Sequence, residues 1–386
     1  MSWEKIKLSE LYTVHNGLSK GRQFFGSGFP FLSFSTVFNN YFIPLELSDF
    51  VQTTEKEQDD YSIHRGDVFV TRTSETSDEL GMSCVALKDY PCATYNGFTK
   101  RMRPIEKDRV LPEYIGYYMR MPSFRGEFQA FSTMTTRASL RNEDLLGLEV
   151  TLPPIETQKR IADILSVYDD LIEINQKQIK LLEEAAQRLY KEWFVDLRFP
   201  GYKNTPVFDG VPQGWKNGSL GDIALFKRGK TITKEQTSEG FVPVVAGGLE
   251  PAYYHNKSNT ASPVITVSGS GANAGFTRMY HTDIWASDCS FVDAQNTNSI
   301  YFAYCVLKNK KSDIDALQKG AAQPHVYAKD INALKILVPD SICLSKFESL
   351  VTPSFEKIKA LYQQIELSKE ARDRLLPKLM NGELEV

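Results

Sequence analysis

The chain of 386 residues is 24% charged and 42% hydrophobic, which places it among globular proteins with real cores and excludes global disorder. Its 45 basic and 48 acidic side chains leave a net charge of −3, so a grip on nucleic acid would have to come from local clusters or from partners. No run of about 18 apolar residues occurs, and the opening Met1-Ser2-Trp3-Glu4-Lys5 lacks a signal-peptide layout; a cytoplasmic protein without a membrane segment is expected. Five scattered cysteines, Cys84, Cys92, Cys289, Cys305 and Cys343, suggest buried reduced thiols rather than disulfides or a zinc site.

In chain order, the first 150 residues read as mixed α/β (α+β). Strand-like runs lie at 67–71 and 83–87, a helical piece at 112–119, and a strand run into proline at 146–153. Residues 155–194 then contain no Gly or Pro, and apolar residues recur in steps of three and four: Ile161, Leu165, Tyr168, Ile172, Ile179, Leu182, Ala186, Leu189, Trp193. At about 1.5 Å per residue this is a rod of about 60 Å, the length of a coiled-coil arm. Asn175 interrupts the stripe, either as a register pin or as a solvated gap. A second mixed block comes next, with strand-like runs at 241–246 and 264–268, a helical piece at 300–307 and a strand run at 334–339. The chain closes on a second helix with Phe347, Val351, Ile358, Leu361, Ile365, Leu375 and Leu379 as its stripe. Pro353 there either starts the helix, with Thr352 as cap, or kinks it.

The two helical segments are copies. Residues 144–194 align without gaps on 330–380 with 11 identities in 51 positions, against roughly three by chance. The run E-A-x-x-R-L is the densest part. The openings match as well, Trp3, Leu8 and Gly17 corresponding to Trp215, Leu220 and Gly229. Neither helix can bury its stripe alone, so each is expected to pack antiparallel on the other through Ile161, Leu165, Ile172, Ile179 and Leu189 and through Ile358, Ile365 and Leu375.

No phosphate loop, H-E-x-x-H or G-x-S-x-G motif is present, and the five histidines show no ligand spacing. The glycine-rich stretch 268–275 has Asp288 about twenty residues on. Its spacing is G-x-G-x-x-x-G, however, and it runs into a strand-like segment, where a dinucleotide loop needs a helix N-terminus. Residues 1–150 carry 17 basic and 20 acidic side chains, and 200–338 carry 14 and 11. DNA contact therefore falls to small clusters, Lys100 with Arg101, and Lys227 with Arg228. It falls also to loops bearing side chains that can read base edges: Arg72, Thr73 and Ser74, the turn at Thr136 and Arg137, Ser270 and Asn273, and the turn at Gln323 and His325. The two turns occupy matched positions; strand capping alone is the other reading of them.

The segments LPPIETQKRIADIL at 152–165, KEWFVDLRFPGY at 191–202, VPQGW at 211–215 and LPKLMNGELEV at 376–386 resemble the conserved regions of the specificity subunit of type I restriction-modification systems. The resemblance spans the chain in the family's order. It implies a target recognition domain at 1–152, a central conserved helix at 153–198, a second recognition domain at 199–338 and a distal conserved helix at 339–386. The implied function is non-catalytic. Each domain would read one half of a split sequence in double-stranded DNA and the helix pair would set the gap. Two modification subunits and the restriction subunits would bring methylation, cleavage, and the S-adenosylmethionine, ATP and Mg that this chain itself would not bind. A rod longer than the ~34 Å repeat of B-DNA fits half-sites separated by an unread gap. Asp340 to Leu344 departs from the pattern at Pro154 to Gln158. Two other classes stand beside this one: a two-domain adaptor with an oligomerising arm, and a nucleotide-dependent enzyme resting on the glycine loop.

Overall fold

The repeated segments form two long helices. The first runs over Ile155–Tyr190 and closes in a π turn, Lys191–Val195; the second runs over Ser341–Met380. The computed structural model describes residues 3–74, 80–130, 138–318 and 324–386. They divide into one unit of Met1–Glu173 with Glu366–Val386 and a second of Ile174–Ile365, so each unit holds one end of both helices.

Within unit 1, Ile161 and Leu165 of the first helix share a core with Leu376, Leu379 and Met380 of the second. Within unit 2, Tyr190 and Phe194 pack on Phe347 and Phe302, with Phe194 and Phe302 ring centroids 4.8 Å apart. In each unit the start of one helix thus meets the end of the other, the antiparallel arrangement expected. Ile161, Leu165, Ile179, Ile358 and Ile365 are buried, whereas Leu189 and Leu375 are only half-buried and Tyr190 and Leu376 take the seam. The cause is geometric. A strict heptad drifts about 20° per repeat against a 3.6-residue helix, so four repeats beyond Ile161 the buried face has moved by nearly one residue. Ile172 is half-buried as well. Asn175 is only 6% exposed, so the solvated-gap reading falls.

The second helix does not start at Pro353, which lies within it. It starts at Ser341, where Asp340 Oδ1 accepts the backbone N–H groups of Ile342 and Cys343, both at 2.9 Å. An aspartate cap thus stands at 340 where the first copy has its proline-glutamine start; there the Gln158 side chain reaches outside its own helix and accepts Leu111 N–H at 2.9 Å.

The globular parts share one wiring. In unit 1 a four-stranded antiparallel sheet has the order Tyr12–Asn16, Thr99–Pro104, Val68–Thr71, Ser83–Val85. A second sheet sets Phe25–Leu32 between Asp49–Val51 and, in parallel, Thr94–Tyr95. In unit 2 the corresponding orders are Lys227–Arg228, Cys289–Asp293, Val264–Ser268, Thr277–Tyr280, and Tyr253–His255, Val242–Val245, Trp285–Ala286. Each part is closed by one antiparallel pair ahead of a long helix, Glu4–Lys7 with Glu149–Leu152 and Lys216–Ser219 with Lys335–Val338. Four cysteines are buried as expected; Cys92 is the exception, exposed on a turn with φ +59°. No helix among the described residues is long and apolar enough to cross a membrane.

Candidate nucleic-acid interface

Four stretches of chain meet at one end of the four-stranded sheet in each unit, held by matched hydrogen bonds. In unit 1 the Phe98 carbonyl accepts Arg72 N–H at 3.0 Å, the Arg72 carbonyl accepts Leu140 N–H at 2.9 Å, and the Thr99 carbonyl accepts Gly17 N–H at 3.1 Å. In unit 2 the Asp288 carbonyl accepts Gly269 N–H at 3.3 Å, the Gly269 carbonyl accepts Val326 N–H at 3.1 Å, and the Cys289 carbonyl accepts Gly229 N–H at 2.8 Å. The paired glycines have a steric reason. A Cβ on Gly17 would lie 2.0 Å from the Asn96 carbonyl oxygen, and one on Gly229 2.3 Å from that of Ser287.

The side chains on this shared frame differ. In unit 1 Arg72 is half-buried, its Nε buried without a partner. Thr73 and Ser74 pair through their backbones with Ser139 and Ala138. The turn residues Thr136 and Arg137, immediately before this pair, lie outside the described residues. Phe98 is 56% exposed on the turn before the central strand. Lys100 and Arg101 require correction as contacts, because both are buried on that strand and engaged internally. The Lys100 ammonium bonds Asn142, and burial, with Arg72 nearby, lowers its pKa. Arg101 donates to the Ser62 carbonyl at 2.7 Å and lies over the Tyr95 ring.

In unit 2 Arg228, Ser270 and His325 come together with Asp288 around a cavity of about 260 Å³. Ser270 pairs with His325 through the backbone, and its hydroxyl donates to Asp288 Oδ2 at 2.5 Å. Arg228 Nη2 stands 3.7 Å from Asp288 Oδ1. Lys227 donates to Asn296 at 2.5 Å. Asn273 lies on the turn Gly271–Asn273, beside a separate concavity with Lys308 and Lys311. Gln323 lies outside the described residues. Beyond Gly275 the chain enters the strand Thr277–Tyr280, so no helix N-terminus faces the glycine loop. Among the described residues no group of His, Cys, Asp and Glu is placed to hold a metal ion. Phe98 and Asp288 were not among the sequence candidates for DNA contact. The match of Gly17 with Gly229 was the available signal, since both glycines pack beneath the turn that carries them.

Residues 1–184 and 212–367 match the family model described as type I restriction modification DNA specificity domain, once in each half. The chain belongs to that family. It is therefore a specificity subunit, a recognition component without catalysis of its own, and the adaptor and nucleotide-enzyme readings fall. The MjaIX specificity subunit of Methanocaldococcus jannaschii is 29% identical over all of this chain and 94% of its own length. The HindI specificity subunit of Haemophilus influenzae is 22% identical over 99% of each. The crystal structure of the S subunit from M. genitalium shares the fold with a TM-score of 0.56 at 20% identity, covering 98% of this chain and 96% of that one.

Proposed function

We propose that each unit of this specificity subunit reads one half of a bipartite DNA target with the loop cluster at its sheet end, the helix pair setting the unread gap. The observation that carries this is the loop cluster itself: one hydrogen-bonded frame built twice, with Arg72 and Phe98 on one copy and Arg228, Asp288 and His325 on the other. A frame kept while its side chains change suits two readers of two different sequences. The recognition domains and helices divide near 152, 198 and 338, as the sequence suggests.

The helices carry a second duplicated surface, which supports docking of two copies of one partner. Leu181, Glu184, Ala185 and Arg188 in unit 2 recur as Leu367, Glu370, Ala371 and Arg374 in unit 1. Leu181 and Leu367 are 63% and 64% exposed, and both Glu–Arg pairs form i,i+4 ion pairs. Packing within the chain does not demand identity at exposed positions; a repeated partner does. That partner is the modification subunit, joined by restriction subunits, and the S-adenosylmethionine, ATP and Mg of the reaction belong to those partners.

Methylation-sensitive sequencing of a host expressing the modification subunit with and without this chain tests the reading. A split motif is expected only with the chain, and exchanging residues 1–150 for another recognition domain should change one half-motif alone. A change in both halves, or no split motif with active partners, overturns it. Leu181→Asp and Leu367→Asp should each reduce the bound modification subunits from two to one by native mass spectrometry, and the double variant to none.

A further inference from the structure

We infer that the matched turn residue, Phe98 in unit 1 and Asp288 in unit 2, touches a base edge in each half-site: Phe98 a thymine methyl and Asp288 a cytosine amino group. The inference rests on the half-site reading above and assigns its chemistry. Position comes first. The two residues hold the same place in the shared frame, each carbonyl tying the turn to the loop at Arg72 or Gly269. The Phe98 turn is rigid. Asn96 Oδ1 accepts Phe98 N–H at 2.7 Å, and the Asn96 carbonyl accepts both Thr99 N–H at 3.0 Å and its hydroxyl at 2.7 Å. An aromatic ring held this exposed beside polar loops has one complementary group on a base edge, the 5-methyl of thymine.

Asp288 poses the converse problem. A carboxylate on a DNA-facing surface is repelled by phosphates, so it must meet a hydrogen-bond donor. In the major groove the donors are the cytosine N4 and adenine N6 amino groups. Adenine sets its N7 acceptor beside the amino group, against the carboxylate's remaining lone pairs; cytosine does not. Oδ2 takes the Ser270 hydroxyl, while Oδ1, 3.7 Å from Arg228, is beyond hydrogen-bond distance of it and keeps acceptor capacity. Arg228, 71% exposed along its side chain, offsets the carboxylate charge and suits a guanine O6/N7 edge.

The test uses the full chain in complex with its modification subunits and measures affinity and methylation on every single-base variant of the target. Asp288→Ala should erase a preference for C at one position of one half-site, about ten- to a hundredfold, and leave the other half unchanged. Asp288→Asn should move that preference from C to A, a change that a merely structural role does not produce. Replacing thymine by uracil at one position of the other half-site should weaken the native complex several-fold and leave Phe98→Ala unaffected. Uniform loss across all sequences, or unaltered base preferences in a variant complex still active on a split motif, overturns the inference alone. Absence of any split motif with the native chain overturns the half-site reading and this inference together.

Discussion

Glu348, on the second helix, caps another helix with its carboxylate, and that arrangement makes unit 2 sensitive to pH. The carboxylate accepts Phe302 N–H at 2.7 Å at the start of helix Ile300–Asn309, where Ser299 provides no side-chain cap. Burial pushes its pKa from 4.5 up to about 7, the backbone bonds from Phe302 and Tyr301 pulling the other way. The folded unit therefore holds this proton more tightly than the unfolded chain. Its stabilisation is complete below pH 4.5 and is lost as pH rises through 7. Taken in full the displacement is worth about 3 kcal/mol; the side chain is only partly buried, and solvent screening brings this to roughly 1–2 kcal/mol. Glu348→Gln keeps an acceptor on the helix end and never ionises. Three of the four tryptophans lie in unit 2, so urea unfolding followed by tryptophan fluorescence reports chiefly on that unit. At pH 8 the glutamine variant should be the more stable by roughly 1–2 kcal/mol, and at pH 4.5 to 5 the two should coincide. Parallel stability curves from pH 5 to 8 would refute the reasoning.

Phe347, fully buried among Tyr190, Trp193, Phe194 and Phe302, anchors the second helix in unit 2; Phe347→Ala should cost about 3–5 kcal/mol in the same urea assay. Pro353 removes an N–H from the interior of that helix, so Pro353→Ala should stabilise by about 1–3 kcal/mol, read as a raised urea midpoint. In unit 1, Arg372 pairs with Asp169 at 2.5 Å over the Tyr41 ring, and Tyr117 donates to the same carboxylate at 2.5 Å. Burial alone would lower the Arg372 pKa, but Tyr41, Asp169 and Asp373 hold it above its ordinary value. Arg372→Met should cost about 3 kcal/mol by stranding the carboxylate, and adding Asp169→Asn should recover part of the loss by thermal unfolding.

The helix pair was legible in the sequence because amphipathic periodicity is local: Ile161, Leu165, Ile179, Ile358 and Ile365 followed from spacing alone. The slip from Leu189 to Tyr190 was not, since it depends on the small difference between 3.5 and 3.6 residues per turn accumulated over many turns. Of the two readings of Pro353, the helix start fails for a related reason. Pro353 is a strong local signal, but the Asp340 cap and the packing of Phe347 and Val351 outweigh the one hydrogen bond that proline removes. The loop cluster was half legible. Polar residues in loops pointed to Arg72, Ser270 and His325, whereas only tertiary hydrogen bonds bring the turns at Phe98 and Asp288 between them. Strand position 100 gave no sign in the sequence that its lysine faces Asn142 rather than solvent.

The burial of Lys100 and Arg101 sharpens what the near-neutral composition implies for DNA affinity. Among the described residues, the cations that the sequence put forward at the loop clusters reduce to Arg72, Lys227 and Arg228, each partly committed to its surroundings or half-buried, with Lys230 exposed beside Gly229. With about three phosphate contacts, binding by the isolated chain should weaken with salt along a log–log slope of about −3 or shallower. Joining the modification subunits should steepen that slope while the base preferences stay those of this chain, because phosphate contacts add affinity and base contacts set sequence. Fluorescence anisotropy across 50–300 mM salt separates the two. A slope near −6 or steeper for the isolated chain would show that it carries its own electrostatic grip, and the division between a reader that specifies and partners that hold would be wrong.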